Sequence, residues 1–232
     1  MEPNSFEENT ANHYKNDNKA RSYFDAYTQS TGLDRVRFGF ISTKERRCVT
    51  RLLRIAGASA AQKVTDIPTG TGKMAPVFRE LALEVLACDI SPNMLEIAEK
   101  SFRNESHQAV SFSEIDLRSA EHIHGSRDYC VCWRLMHRVP NEMKEALLAQ
   151  IAEIAPKAII SFSIDSRYSA VRFWVRRVLF GGNKRLIGTR VNRSEIHDIV
   201  SKYFEIIQVI PVATALSAQR GYLLKSKSMR FA

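Results

Sequence analysis

From residue 62 onward the sequence alternates between short apolar runs and amphipathic segments, and this alternation limits the fold most strongly. Strands that alternate with helices form a mostly parallel sheet covered on both faces. The sequence therefore predicts an α/β fold. Strands are predicted at 62–67, 84–89, 110–115, 129–133 and 158–162, and helices at 73–81, 91–102 and 141–155.

The C-terminal part departs from this alternation. A helix is predicted to begin at Asn192 or Ser194 and to end near Tyr203. Two strand-like runs follow at 206–212 and 221–224, with only a short connection between them. Parallel neighbours need a long crossover, whereas antiparallel strands do not. We therefore expect an antiparallel pair at one edge of the sheet.

The N-terminal part is predicted to be helical after a tail. Residues 1–18 are polar and predicted to be flexible. A helix is expected at 18–29, and a capping box at Ser42 predicts a second helix that runs to Ala56. Arg37 would then lie in a loop. We predict a single domain over 19–232, with 19–57 as a helical cap.

Composition excludes several classes of protein. Apolar residues make up 44% and charged residues 25% of the chain, as in ordinary globular proteins. No window approaches 18 apolar residues, and the N-terminus lacks the apolar core of a secretory signal. The four cysteines show no CxxC spacing, so we expect buried, reduced thiols and no metal site in a cytoplasmic protein.

Most of the net charge of +9 comes from one segment. Residues 167–193 contain eight basic residues and no acid, and apolar side chains around Trp174 follow helical spacing. We interpret 167–190 as an insertion that caps a substrate pocket. A basic amphipathic helix at an anionic membrane surface is the alternative. Nucleic acid is not expected as a partner, because no RNA-binding module is apparent.

The turn after the first predicted strand carries the main functional signal. The strand ends in Asp66, and the turn contains Gly70 and Gly72, which let the backbone bend sharply and a ligand approach closely. Ligands of open parallel sheets bind outside the carboxyl ends of the strands. A carboxylate there can accept a hydrogen bond from an ammonium group, which suits the amino-acid half of S-adenosylmethionine (SAM).

Acids also follow the next two strands. Asp89 closes the second strand, where a carboxylate can accept hydrogen bonds from both ribose hydroxyls of an adenosine. Asp116 follows the third strand and can accept from the adenine amino group. Acids at three successive strand ends therefore indicate SAM. The alternative is that they only cap the following helices.

Two other nucleotide motifs fit less well. A Walker A loop fails because Ile67 and Met74 stand where glycine and serine or threonine are required. A dinucleotide fingerprint survives weakly, with Ala75 at its last position. The acid before the turn argues against it, because Asp66 would face a pyrophosphate.

These segments resemble the class I SAM-dependent methyltransferase superfamily, and within it a bacterial small-methyltransferase group whose first motif reads D-x-P-x-G-T-G. Residues 66–72 read DIPTGTG, and 85–95 (VLACDISPNML) resemble the ribose-binding motif and its helix. Residues 114–117 (EIDL) resemble the adenine-binding segment, and 133–140 (WRLMHRVP) resemble the segment after the fourth strand. The resemblance covers about 60–225.

The resemblance implies a Rossmann-like, seven-stranded, mostly parallel sheet of order 3-2-1-4-5-7-6, with helices on both faces and an antiparallel edge hairpin.

The sequence departs from the family's pattern at two positions: Pro68 removes a backbone donor, and Arg138 replaces a second histidine. Tyr23, on the N-terminal helix, covers the cofactor or packs on the core. The predicted cofactor-binding residues are Asp66, Thr69, Gly70, Gly72, Asp89, Ile90, Met94, Asp116, Leu117, Trp133 and Tyr23.

Methyl transfer from SAM is an in-line displacement in which the enzyme mainly positions donor and acceptor. A base is needed only for a hydroxyl or a protonated amine. His137 follows the fourth strand and has a near-neutral intrinsic pKa, so it is the candidate base; the alternative is that it orients the loop. The predicted substrate-binding residues are Arg37, His137, Arg138 and Trp174.

The sequence thus predicts a SAM-dependent methyltransferase that acts on oxygen or nitrogen of a small-molecule or lipid-linked acceptor. Contact of 167–190 with an anionic membrane surface would place the protein at the inner face of a membrane. One alternative is an inactive SAM-fold binding or scaffold subunit, and another is a nucleotide-dependent oxidoreductase.

Overall fold

The computed structural model describes residues 33–120, 123, 127–164, 192–213 and 218–228. Its helices are α1 (Leu33–Ile55), α2 (Ala75–Glu80), α3 (Pro92–Asn104), α4 (Asn141–Ile154) and α5 (Arg193–Tyr203), with a short 3-10 helix at Leu117–Ser119. Its strands are β1 (Lys63–Asp66), β2 (Glu84–Asp89), β3 (Val110–Glu114), β4 (Tyr129–Cys132), β5 (Lys157–Ser163), β6 (Phe204–Pro211) and β7 (Gln219–Ser226).

The strands form one seven-stranded sheet of order β3-β2-β1-β4-β5-β7-β6. Strands β1 to β5 pair in parallel, whereas β7 runs antiparallel to both β5 and β6. The predicted fold class, strand order and antiparallel edge hairpin are confirmed. Because the strand order reverses between β1 and β4, a crevice opens beyond their carboxyl ends.

Alternating side chains of the strands pack into two hydrophobic cores, one on each face of the sheet. On one face, Val85 and Val131 pack with α1, α2 and α3. On the other, Leu86 and Cys130 pack with α4 and α5. Successive residues of a strand point to opposite faces, so each strand supports both helical layers. As predicted, all four cysteines are buried free thiols.

Helix α1 is longer than predicted. It begins at Leu33, so the helix start predicted at Ser42 and the loop predicted around Arg37 are wrong. The Thr43 hydroxyl donates to the Gly39 carbonyl (2.9 Å), a bond that threonine makes inside a helix. Glu45 turns into the protein and is 0% exposed, rather than capping Ser42. A tertiary contact of Glu45 therefore replaces the local cap.

The remaining boundaries agree with the predictions within a few residues. Ser91 caps α3, and its hydroxyl accepts from the Met94 amide (3.4 Å).

Three of the predicted segments lie outside the described residues: the tail 1–18, the helix at 18–29 and the insertion 167–190. The division into a tail, a single domain and two caps therefore stays a prediction. No described helix has the length and apolarity needed to cross a bilayer.

Gly221 provides a test of how α1 packs on the sheet. A Cβ atom there would lie 2.8 Å from both Cys48 Sγ and Leu52 Cδ1, and 3.0 Å from Trp133 Cη2. We expect Gly221→Ala to lower the free energy of unfolding by about 1–3 kcal/mol, because all three neighbours are buried. Urea denaturation measures the change.

The matched control is Gly39→Ala in α1, where a Cβ atom meets nothing within 4 Å. Alanine favours a helix over glycine by about 1 kcal/mol, so this variant is expected to be at least as stable as the parent. Equal stability losses in both variants would contradict the packing described for Gly221.

Candidate functional site

A pocket with an empty volume of about 830 Å³, partly open to solvent, lies beyond the carboxyl ends of β1, β2 and β4. Residues from the turns after these three strands line it. The crevice expected from the strand order therefore contains the candidate site.

Asp66 lies at the end of β1 and is 1% exposed. Its Oδ2 accepts a hydrogen bond from the Thr69 hydroxyl (2.8 Å). Burial raises the pKa of Asp66 to about 7, and the neighbouring charge of Asp89 adds to this effect. The Thr69 amide donates to the Cys88 carbonyl (2.7 Å), which holds the turn against β2.

The two glycines of the turn serve different purposes. Both have a positive φ, 54° at Gly70 and 71° at Gly72. A Cβ atom at Gly70 would meet nothing within 4 Å, and Gly70 lines the pocket. A Cβ atom at Gly72 would lie 3.0 Å from Ala98 Cα and Ser101 Cβ of α3. Gly70 thus leaves space at the pocket, whereas Gly72 allows the turn to pack on α3.

Asp89 connects the turn to the start of α3. Its Oδ2 accepts from the Gly70 amide (2.8 Å), and its Oδ1 accepts from the Ser91 amide (3.0 Å). Burial raises the pKa of Asp89, and backbone hydrogen bonds from Ser91, Gly70 and Ile90 act against the rise. A carboxylate has about four acceptor positions, so both oxygens keep capacity for further donors.

The predicted adenine-binding residues lie differently. The carboxylate of Asp116 accepts from the Arg118 amide (3.0 Å) and pairs with its guanidinium (2.6 Å). Leu117 is buried in the core that contains α4. Neither residue lines the pocket. Asp116 therefore acts as the cap of the short 3-10 helix in this structure, and its contact with adenine stays a prediction.

A buried polar network supports the wall of the pocket formed after β4. Glu45 of α1 pairs with the Nε of Arg134 (2.7 Å), and the Arg134 amide donates to the Ser161 hydroxyl (2.8 Å). With its amide nitrogen turned toward Glu45 (2.7 Å), Gln219 accepts from the Ser161 hydroxyl and from Trp133 Nε1, both at 3.2 Å. These contacts fix Trp133 and Arg134, which both line the pocket.

Three basic side chains line the pocket: Lys73, Arg134 and Arg138. Burial lowers the pKa of Lys73 to about 6, and the nearby charges of Arg134 and Arg138 lower it further, while Glu45 acts in the opposite direction. The pocket therefore combines two buried acids, Asp66 and Asp89, with three bases.

His137 does not line the pocket. Burial lowers the pKa of His137 to about 3, with further lowering from Arg138, Arg134 and Lys144. The ring is therefore neutral at pH 7. Its Nδ1 is buried and has no hydrogen-bond partner among the described residues.

The structure brings together most of the predicted cofactor-binding residues that it describes. Gly72, Asp116, Leu117 and His137 lie outside the pocket lining, Tyr23 and Trp174 lie outside the described residues, and Arg37 is described only through its place in α1. The predicted residues that line the pocket are Asp66, Thr69, Gly70, Asp89, Ile90, Met94, Trp133 and Arg138.

The predictions missed several residues of the site. Some stand next to predicted ones within the same two turns, so adjacency was an available signal for Pro68, Thr71, Lys73, Met74, Arg134 and Leu135. No sequence signal identified Glu45 or Gln219, which reach the site from the two ends of the described chain. Only the tertiary fold brings them to Arg134 and Trp133.

Comparisons with known proteins agree with this geometry. Residues 64–156 match a family model described as a methyltransferase domain. A search of curated proteins by sequence finds no significant match. Among solved structures, this chain is similar to magnesium protoporphyrin IX methyltransferase from Synechocystis PCC 6803, which was crystallised with bound S-adenosylhomocysteine (SAH). The two superpose with a TM-score of 0.73 at 18% identity, over 95% of this chain and 100% of that one.

Two further structures share the architecture. Human N-acetylserotonin methyltransferase, in complex with SAM, has a TM-score of 0.65 at 16% identity and covers 95% of this chain and 59% of its own. A SAM-dependent methyltransferase from Aquifex aeolicus has a TM-score of 0.53 at 16% identity, over 75% of this chain and 87% of its own. The fold is a methyltransferase fold. Within it, the matched segment 64–156 includes all the residues that line the pocket.

The raised pKa of Asp66 leads us to predict that the free energy of unfolding depends on pH. Between pH 4 and 7 the folded protein keeps a proton on Asp66 that the unfolded chain releases, so stability falls as the pH rises. We expect Asp66→Asn to match the parent at pH 4 and to be more stable by about 2–4 kcal/mol at pH 8. Urea unfolding at several pH values measures this difference.

The neighbouring Asp89 also has a raised pKa, so Asp66→Asn keeps part of the pH dependence. The prediction therefore concerns the difference between the parent and Asp66→Asn. A difference that stays constant from pH 4 to 8 would contradict the buried, proton-retaining state of Asp66.

A double-mutant cycle tests the ion pair between Glu45 and Arg134. Glu45 is 0% and Arg134 20% exposed, so removing one partner leaves a charge with poor access to water. We expect Glu45→Gln and Arg134→Gln each to lower the free energy of unfolding by about 1–3 kcal/mol. The double variant should lose less than the sum of the two.

The pair Arg54–Glu80 is the matched control, because it has the same 2.7 Å separation but is 62% and 50% exposed. Exposed pairs contribute about 0–1 kcal/mol, so its coupling energy should be smaller. Equal coupling energies in the two cycles would argue against a structural role for the buried pair.

Proposed function

We propose that this chain is a SAM-dependent methyltransferase that acts on oxygen or nitrogen of a small-molecule or lipid-linked acceptor. The carrying observation is the pair of buried carboxylates, Asp66 and Asp89, which line one pocket at the ends of neighbouring strands. Asp66 ends β1, beside the point where the strand order reverses, and Asp89 ends the neighbouring strand β2. The match of 64–156 to a methyltransferase domain supports the same conclusion.

The residues of the pocket suit the chemical groups of SAM. Asp66 offers a buried carboxylate to an ammonium group, and a bound cation would favour its ionised form. Asp89 keeps acceptor positions for ribose hydroxyls while its two backbone hydrogen bonds hold it in place. The open space at Gly70 lets a ligand approach the backbone of the turn. Ile90 and Met94 add apolar surface for an adenine ring.

SAM supplies a methyl group already activated by its positively charged sulfur. The protein therefore needs to bind, orient and shield the reactants, and such positioning can contribute about 7–11 kcal/mol. Trp133 and Arg134 are suited to this task because hydrogen bonds to Gln219 and Glu45 fix their side chains. Both lie after β4, next to the turn that follows β1.

The role of His137 as a base stays a prediction. A histidine whose pKa is about 3 accepts protons weakly at neutral pH. This property favours acceptor atoms that need no strong base, such as a carboxylate oxygen or an unprotonated amine. A role in orienting the loop after β4 remains the alternative for His137.

Small acceptors are supported by the names of two structural neighbours, which methylate magnesium protoporphyrin IX and N-acetylserotonin. Lipid-linked acceptors and contact of 167–190 with a membrane stay predictions from the sequence. An inactive SAM-fold subunit is the alternative of a different class. A nucleotide-dependent oxidoreductase is less well supported, because Asp66 would face a pyrophosphate in the same pocket.

Calorimetry with SAM and with NADH separates the cofactor hypotheses. We expect SAM to bind and Asp89→Ala to weaken it at least about tenfold, since hydrogen bonds to a charged group contribute about 1.5–3 kcal/mol. Gly70→Ala should weaken SAM binding with a modest loss of stability. Gly72→Ala should chiefly lower stability, because its Cβ would press on α3.

Two results would overturn this proposal: no binding of SAM, or SAM binding that Asp89→Ala leaves unchanged. Release of S-adenosylhomocysteine (SAH) in the presence of candidate acceptors then distinguishes an active enzyme from an inactive subunit. Panels of small carboxylates, amines and phenols are suitable first acceptors, because they cover oxygen and nitrogen methylation.

A further inference from the structure

The hydrogen bonds behind the wall after β4 form a closed ring. The Arg134 side chain donates to Glu45, and the Arg134 amide donates to the Ser161 hydroxyl. This hydroxyl donates to the amide oxygen of Gln219 (3.2 Å), and the amide nitrogen of Gln219 donates back to Glu45 (2.7 Å). Trp133 joins the ring because its Nε1 donates to the same Gln219 oxygen. The ring thus ties α1, β5, β7 and the turn after β4 together.

We propose that Glu45 is a positioning residue for methyl transfer, acting directly on Arg134 and through Gln219 on Trp133. This inference rests on the proposed function, since it assigns a role within the same site. Trp133 and Arg134 line the pocket, whereas Glu45 is 0% exposed and lies behind them. Glu45 therefore acts on the reactants only through these neighbouring side chains.

Glu45 determines which way the amide of Gln219 points. As the partner of Arg134 in an ion pair, its carboxylate offers only acceptors, so Gln219 turns its nitrogen toward Glu45. The amide oxygen then faces Trp133, whose Nε1 can only donate. The reversed amide would place a donor against a donor at Trp133. Glu45 thus selects the one orientation that gives the indole an acceptor.

A single oxygen of Glu45 carries both contacts. The Arg134 Nε and the Gln219 amide nitrogen both donate to Oε1, each at 2.7 Å. The other oxygen, Oε2, is buried and accepts no hydrogen bond from the residues that the structure describes. An amide oxygen in place of Oε1 can therefore keep both contacts without the charge. Glu45→Gln is thus a conservative variant for the orienting role.

Helix packing sets the position of Glu45. Cys48 and Leu52 follow it by three and seven residues, so the three side chains share one face of α1. Gln219 and Gly221 alternate along β7 and point to the same side of the sheet. Cys48 and Leu52 approach Gly221 so closely that a Cβ atom there would lie 2.8 Å from each. Because the helix lies this close to the strand, Glu45 can reach Gln219.

The ring affects one wall of the pocket more than the other. Asp66, Gly70 and Asp89 lie in the turns after β1 and β2, and hydrogen bonds outside the ring hold them. Loss of Glu45 should therefore leave most of the SAM affinity. A small misplacement of the groups that position the reactants can lower the rate by about a hundredfold. The rate should thus fall more than the affinity.

The first test compares the rate with SAM binding. SAH release is measured at saturating SAM with the most active acceptor from the panel of carboxylates, amines and phenols. We expect Glu45→Leu to lower kcat at least about tenfold and to raise the Kd for SAM, measured by calorimetry, less than about threefold. Glu45→Gln should lower kcat less than about threefold, because its amide oxygen keeps both contacts.

Gln219→Met is a second variant in case Glu45→Leu does not fold. It removes the acceptor of Trp133 and keeps the ion pair between Glu45 and Arg134. We expect the same pattern as for Glu45→Leu: kcat lower by at least about tenfold, with less than about a threefold change in the Kd for SAM.

The indole N–H of Trp133 gives a readout that needs no ligand. The chain has two tryptophans, so the NMR signal lost in Trp174→Phe identifies the signal of Trp133. We expect hydrogen exchange at Trp133 Nε1 to be about tenfold faster in Glu45→Leu, since one hydrogen bond contributes about 1 kcal/mol. Glu45→Gln should keep the slow exchange of the parent. A purely structural role of Glu45 would lower stability without this pattern.

Ser226→Ala is the matched control. Ser226 is also buried in β7 but lies at the end opposite to Gln219, and its hydroxyl donates to the Ala152 carbonyl (2.8 Å). This variant should be less stable than the parent. Its kcat and the exchange rate at Trp133 should stay within about twofold of the parent, because distant sites act independently.

The outcomes separate this proposal from the proposed function. In an active parent enzyme, the positioning role is overturned if Glu45→Leu and Gln219→Met keep the parent's kcat or the slow exchange at Trp133. It is also overturned if SAM affinity falls as much as kcat, because Glu45 then serves binding. These results leave the methyltransferase assignment intact. A parent that binds no SAM, or releases no SAH with any acceptor, overturns both proposals.

Discussion

The site depends on one carboxylate that joins two neighbouring strand ends. Asp89 accepts from the Gly70 amide with one oxygen and from the Ser91 amide with the other. The first bond fixes the turn after β1, and the second fixes the start of α3. Because Gly72 packs directly on α3, the same turn is held from two sides. The backbone at Gly70, which faces open space, is therefore held in a fixed position.

A second network fixes the other wall of the pocket. Glu45 and Gln219 hold Arg134 and Trp133 from the rear, so these two pocket residues depend on α1 and β7. The turns after β1 and β2 suit a ligand with an ammonium group and a ribose. The wall after β4 is basic and partly aromatic.

The sequence predicted the sheet because strands that alternate with helices can form only a few sheet topologies. It predicted Asp66, Gly70 and Asp89 because the ends of the predicted strands can be recognised from the sequence. It misplaced the start of α1, since Ser42 and Glu45 form a local cap pattern that the tertiary pair with Arg134 overrides. Lys73 and Arg134 stand beside predicted residues, so adjacency marked them as candidates, but the sequence alone does not show that their long side chains line the pocket. Contacts between distant segments have no local pattern.

The contact between Glu45 and Gln219 has a consequence for synthesis of the protein. The two residues are separated by 174 positions, yet both touch the wall of the pocket. The turns after β1, β2 and β4 leave the ribosome long before β7 does. Because β7 inserts between β5 and β6, the wall around Trp133 and Arg134 forms only after β7 has emerged. A nascent chain would thus carry the acidic part of the site before it could assemble the rest.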